Sequence, residues 1–185
     1  MVKAALTRKS LDVNERPKSR DEAKRCCEAI DLFERNENAL GMRKLSLATP
    51  PRFEALLVEG VSLSVRPDFI VHGAGDRVGA GILRVAKAPD PDACKLEDTR
   101  KRRGEHRREM ARYMLAMLQL LLEDQSEVLG LPDRDLCFVA DVRLGESIVP
   151  AADHTVRARR IRSACRQIAS LWNSIEPRPS ILRRD

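Results

Sequence analysis

An α/β domain with a mixed, largely antiparallel central sheet flanked by helices is the fold that this 185-residue sequence predicts. Segments around 20–40, 99–124 and 153–175 repeat apolar residues at helical spacing, whereas between 61 and 85 the period drops to two. A continuous apolar run, Leu136 to Val142, then follows the central helix as a buried strand would. With 43% hydrophobic and 34% charged residues, the length suits one core under a charged surface.

Residues 1–18 are polar, basic and aperiodic up to Pro17, which predicts a flexible tail before a single domain over 19–185. Ser19 followed by Glu22 has the capping-box pattern, Ala23, Cys26, Cys27, Ile30 and Phe33 continue at helical spacing, and Gly41 supplies the stop. Past Pro50 and Pro51, Phe53, Leu56, Leu57 and Val58 lead into Glu59-Gly60. Val61, Leu63 and Val65 then alternate with Ser62, Ser64 and Arg66, as in a half-buried strand. Pro67 interrupts it, Phe69-Ile70-Val71 resumes it, residues 72–76 make a turn, and Val78 to Val85 return as a hairpin partner, so the stretch reads as an antiparallel meander. The glycines at 73, 75, 79 and 81 read as turn and bulge, because neither a helix start nor Lys-Ser/Thr follows them. A Pro- and Asp-rich loop over 88–98 precedes a long helix from Thr99, charged in its first half and apolar almost all round in its second. Gly130 and Pro132 end the following connection, and residues 145–150 add an edge strand or loop after the Leu136–Val142 strand. Asp153 then opens a helix with Ile161, Ala164, Cys165, Ile168, Trp172 and Ile175 in one stripe, ended by Pro177 and Pro179.

Composition narrows the function. Aromatics are only 3%, too few for the stacking platforms of most single-strand binders. The longest apolar stretch, Tyr113 to Leu122, is far short of the about 18 residues a membrane span needs, so no membrane association is expected. The start has cations but no apolar centre, which makes a secretory signal unexpected and a cytoplasmic location the expectation. The five cysteines form no CxxC pair, and Cys137 and Cys165 read as small core residues. His72, His106 and His154 lie far apart and read as surface residues.

The order helix, three-strand meander carrying Pro67-Asp68, long helix, buried strand, helix resembles the core of the PD-(D/E)XK nuclease superfamily, particularly its compact RecB-like branch. The resemblance covers about residues 20–175 and implies a restriction-endonuclease-like core. Within it, Asp68 matches the first motif and is implied as catalytic residue and metal ligand. An acidic residue and a Lys should follow on the next strand, but the hydrophobic phase puts Gly81 and Leu83 there, with Arg84 or Lys87 nearby as a substitute cation. Glu109 and Tyr113 resemble the Gln-x-x-x-Tyr helix element and, four apart, share a face that can look toward Asp68. Metal-assisted phosphodiester cleavage needs at least two hard oxygen ligands to hold Mg²⁺. Asp68 alone falls short unless Glu109, Glu59 or Asp76 completes the site; otherwise Asp68 is a turn carboxylate paired with Arg66 or another Arg.

The formal charge of +6 is concentrated in two places. Arg100, Lys101, Arg102, Arg103, Arg107 and Arg108 crowd a helix N-terminus, where cations oppose the macrodipole. Glu105 and Glu109 offer internal pairing, and a DNA or RNA backbone is the alternative partner. Arg159, Arg162 and Arg166 form the back of the last helix, either solvated or phosphate-contacting. The expected function is a catalytically degenerate nuclease-like protein binding nucleic acid through Arg102, Arg103, Arg107, Arg108, Arg159, Arg162 and Arg166. The alternatives are an Mg²⁺-dependent nuclease with a relocated carboxylate, or a homodimerising interaction domain; the sequence sets no oligomeric state.

Overall fold

A computed structural model of the chain describes residues 1–86, 88–172 and 174–175. Helices α1 (Val2–Leu11) and α2 (Pro17–Leu40) come first, then strands β1 (Ser46–Ala48), β2 (Leu56–Val58), β3 (Val61–Leu63), β4 (Phe69–His72) and β5 (Arg77–Arg84). Helix α3 (Glu97–Asp124), a single turn α4 (Ser126–Leu129), strands β6 (Leu131–Pro132), β7 (Phe138–Asp141) and β8 (Glu146–Ile148), and helix α5 (His154–Trp172) complete it. The main sheet has the order β1-β4-β5-β7-β8. The β1–β4, β4–β5 and β7–β8 pairs are antiparallel, whereas β6 and β7 both pair with β5 in parallel. The protein is therefore α/β with a mixed, mostly antiparallel sheet flanked by helices, as expected.

Strand alternation divides the core in two. Ile70, Val78, Ala80 and Val139 pack with Ala111, Leu115, Leu118 and Leu122 of α3. Val71, Phe138 and Ala140 turn the other way, toward Leu40 and Met42 and the partly buried Leu32 and Phe33 of α2. Each fully buried leucine here contributes about 1.5–3 kcal/mol. Gly79 and Gly81 answer to close approach within β5 and not to turns or bulges. An ideal Cβ would lie 2.4 Å from Leu136 at Gly79 and 2.4 Å from the Phe138 ring at Gly81.

Four expectations need correction. Residues 1–18 hold α1, which packs against α2 and sends Lys3 to Asp31 and Glu34; α1 buries no residue, so no apolar stripe marks it in sequence. Pro17 starts α2 instead of ending a tail, and Ser19 and Glu22 lie inside that helix, so the capping box is unused. The expected meander is broken: β2 and β3 form a separate hairpin, and β1, too short to show a period, is the strand beside β4. Pro67, which has no N–H to donate, falls at the break. Finally, the α5 stripe is only half covered. Cys165 is buried, but Ile168, Leu171, Trp172 and Ile175 are 45, 55, 71 and 63% exposed. Pro177 and Pro179 lie outside the described residues. Gly41, with φ 66°, ends α2 as expected, and no helix among the described residues is long and apolar enough to cross a membrane.

Candidate functional site

Asp68 stands just before β4, exposed, and its backbone N–H donates to Gly81 O at 2.8 Å. Its Oδ2 accepts a 2.8 Å hydrogen bond from the Leu83 N–H, so the residue does sit opposite 81–83 on the next strand. What stands there is not a ligand set. The side of Gly81 that would carry a carboxylate is filled by Phe138, whose ring stacks on Phe69 with centroids 6.4 Å apart and planes at 15°. Leu83 packs into the α2-side core. Asp68 takes a backbone amide as partner and forms no ion pair with Arg66, contrary to the turn-carboxylate reading. Asp76 lies at the far end of the β4–β5 hairpin, six residues along β5 from the level of Asp68, about 20 Å at strand rise. Glu59 occupies the β2–β3 turn, outside the main sheet. Among the described residues no group of three His, Cys, Asp or Glu can hold a metal ion. The residues around Asp68 therefore do not fit Mg²⁺.

Glu109 and Tyr113 do share a helix face, but that face meets α5. Arg157, 6% exposed, grips Glu109 with Nε at 3.1 Å from Oε1 and Nη2 at 2.7 Å from Oε2, and also pairs with Asp153. Its guanidinium lies 5.8 Å from the Tyr113 ring centroid, within cation–π range. Arg157 foremost, with Arg112 behind it, holds the Glu109 carboxyl below the usual carboxylate range. Both oxygens of Glu109 are thus committed to guanidinium groups, which accounts for its unavailability as a relocated metal ligand.

The interior polar centre lies elsewhere, at the carboxyl ends of the parallel strands β5 and β7. Arg84 and Asp141 are register partners there. Arg107 reaches between them from α3: its Nε and Nη2 bond Asp141 Oδ2 and Oδ1 at 2.9 and 2.8 Å, and its Nη1 and Nη2 bond Pro89 O and Ala86 O. Arg84 Nη1 donates to Arg107 O at 2.9 Å and lies 3.6 Å from Asp141 Oδ2. Arg84, Arg107 and Asp141 are 5, 0 and 0% exposed. Desolvation first, then the Arg107 charge, pushes the Arg84 guanidinium below its ordinary pKa. This triad ties the loop after β5 to α3 and the sheet. Its signal in the sequence is Arg107 in phase with Ala111, Leu115 and Leu118, a cation on the apolar face of its helix.

The arginines expected at a phosphate backbone divide accordingly. Arg107 is buried, a correction forced by its pairing with Asp141. Arg108 makes a bidentate pair with Glu146 of β8 at 2.8 and 2.6 Å, which lowers the Glu146 pKa. Arg103, half-buried, donates to Asp90 O. Arg162 stands 3.7 Å from Glu123 with both side chains about half exposed. Arg102, Arg159 and Arg166 are exposed, and their side chains make no ion pair with a described residue. Lys87 lies outside the described residues. His72 and His106 are exposed as expected, but His154 is 4% exposed, with Nε2 lacking a hydrogen-bond partner among the described residues. Cys137 and Cys165 are buried as expected, and burial pushes the Cys137 thiol up to about 11. No family model, no curated protein and no solved structure matches the chain.

Proposed function

We propose that this chain is a PD-(D/E)XK-like protein, with a restriction-endonuclease-like core, that binds a nucleic-acid backbone without hydrolysing it. The observation that carries the non-hydrolytic half is the Phe138 ring against Gly81, which leaves Asp68 as a solitary carboxylate held by a backbone amide. Support for the core comes from the main sheet: after a helix come three antiparallel strands, β1, β4 and β5, interrupted by the β2–β3 hairpin and with Asp68 just before β4, then a crossover helix and a parallel strand. Support for binding comes from Arg159, Arg162 and Arg166, spaced three and four apart on one exposed face of α5.

The salt dependence tests this quantitatively. With Arg107 buried and Arg103 and Arg108 bonded within the fold, about four phosphate contacts are expected, from Arg102, Arg159, Arg162 and Arg166, a slope of about −3.6 in log K against log salt, or about 150-fold weakening from about 50 to 200 mM. Engagement of all seven expected arginines would give about −6.3 and a loss of several thousandfold. Fluorescence anisotropy with duplex and single-stranded oligonucleotides measures the slope, and incubation with Mg²⁺ or Mn²⁺ should leave both intact. Absence of binding at low salt refutes the binding half; cleavage abolished by EDTA and by Asp68→Ala refutes the other. A second reading, self-association, is favoured by the exposed Ile168, Leu171, Trp172 and Ile175, and light scattering showing a dimer that Trp172→Glu dissolves would support it.

A further inference from the structure

The segments leading into β2 and into β4 together line a cavity of about 350 Å³, with Pro51, Arg52 and Phe53 from the first and Arg66 and Pro67 from the second. Its two cations differ from the arginines that the fold itself pairs. Arg43, Arg77, Arg84, Arg107, Arg108, Arg112, Arg143 and Arg157 all have carboxylate partners. Arg52 and Arg66 have neither an ion pair nor a side-chain hydrogen bond with a described residue, and both are exposed. Glu54 and Asp68, the carboxylates nearest in sequence, pair with neither, and Asp68 is taken by the Leu83 N–H. Two like charges on one cavity with no counter-ion among the described residues repel each other, and an anion between them relieves that repulsion. The backbone at Arg66 is restrained, because the residue before a proline is confined to extended conformations. One of the two attachment points is therefore fixed before any ligand arrives, which lowers the entropic cost of binding.

Guanidinium groups suit phosphate through paired N–H donors, and a doubly charged phosphate monoester answers two of them. Phe53 and the two prolines supply an apolar wall against which a flat ring can rest, and the volume falls in the range of small-ligand sites, about 300–1,000 Å³. We propose that this groove binds the phosphate monoester of a nucleoside, either a free mononucleotide or the 5′-phosphorylated end of a strand. Only the strand-end form rests on the nucleic-acid reading above.

Calorimetric titration with AMP and with adenosine tests the groove, and anisotropy with 5′-phosphorylated and 5′-hydroxyl oligonucleotides separates the two sources. AMP should bind at least about tenfold more tightly than adenosine, and the Arg52→Gln/Arg66→Gln double variant should lose that preference. Both residues are exposed and unpaired, so the variant should keep its circular dichroism spectrum and its binding of 5′-hydroxyl oligonucleotide. A preference for the phosphorylated over the hydroxyl oligonucleotide, lost in the same variant, assigns the strand end; AMP selectivity without it assigns the free nucleotide. Equal binding of AMP and adenosine, or a preference that survives the double substitution, overturns the proposal. If no oligonucleotide binds while AMP selectivity persists, the groove stands and the backbone-binding reading falls.

Discussion

Replacing Asp141 with Asn removes one charge without changing shape, and the surroundings of that side chain indicate a large effect. Oδ1 accepts hydrogen bonds from the Arg143 and Leu144 amides at 3.1 Å each, and an asparagine oxygen can keep both. The other end must then present an NH₂ group to Arg107 Nε, donor against donor, where a 2.9 Å charge-assisted bond to Oδ2 stood, and the 2.8 Å bond from Nη2 to Oδ1 loses its charged acceptor. Arg84 and Arg107, at 5 and 0% exposure, lose the carboxylate between them. Removing one partner of a buried pair costs about 3–5 kcal/mol, because the cost is set by the uncompensated charge left behind. For a chain of this length each kcal/mol moves Tm by about 2–4 °C, so Asp141→Asn should melt about 6–20 °C lower. Calorimetry and urea unfolding measure this. In a double-mutant cycle with Arg107→Met, the pair should couple by about 1–3 kcal/mol, the double variant losing less than the sum of the singles. A loss below about 1 kcal/mol for Asp141→Asn would refute the placement of the two guanidinium groups around a buried carboxylate.

Two further outcomes are expected. Burial foremost, with the nearby Arg134 charge, lowers the His154 pKa below 6.5, so the unfolded chain binds a proton that the folded chain does not. Its contribution is therefore present above pH 6.5 and is lost as pH falls through the folded pKa; NMR titration should place this imidazole below 6.5, and His154→Gln should flatten the stability profile in that window. An imidazole titrating at or above 6.5 contradicts the burial. Gly81→Ala should cost about 1–3 kcal/mol in chemical denaturation, since its Cβ would meet the Phe138 ring at 2.4 Å. A neutral substitution would mean that the ring leaves room for the missing carboxylate after all.

Much of the fold was legible because most elements carry their own period. The apolar face of α3 and the continuous apolar run at β7 showed without tertiary information, as did the return of β5 on β4 across a glycine-rich turn. Elements whose order comes from a neighbour did not show. α1 has no buried residue and leans on α2, and β1 is three residues long, made a strand by its ladder to β4. The candidate site was half legible for the same reason. That Asp68 would stand opposite 81–83 followed from strand phase, and the absence of an acid and a Lys at Gly81 and Leu83 followed from reading those letters.

Which charges are free was a matter for the tertiary structure alone. The sequence by itself determined the α/β class, a mostly antiparallel sheet, the apolar half of α3 and a surplus of arginine. It assigned Arg107 and Arg108 to a nucleic-acid backbone, because nothing in a string of cations reveals carboxylates that lie 34 and 38 residues further on. Folding brings Asp141 and Glu146 to those guanidinium groups and Arg157 to Glu109, and it leaves Arg52 and Arg66 facing one cavity without a counter-ion among the described residues. Periodicity reports burial within an element, whereas charge pairing depends on distances between elements, so the polar chemistry of this protein is set by its packing.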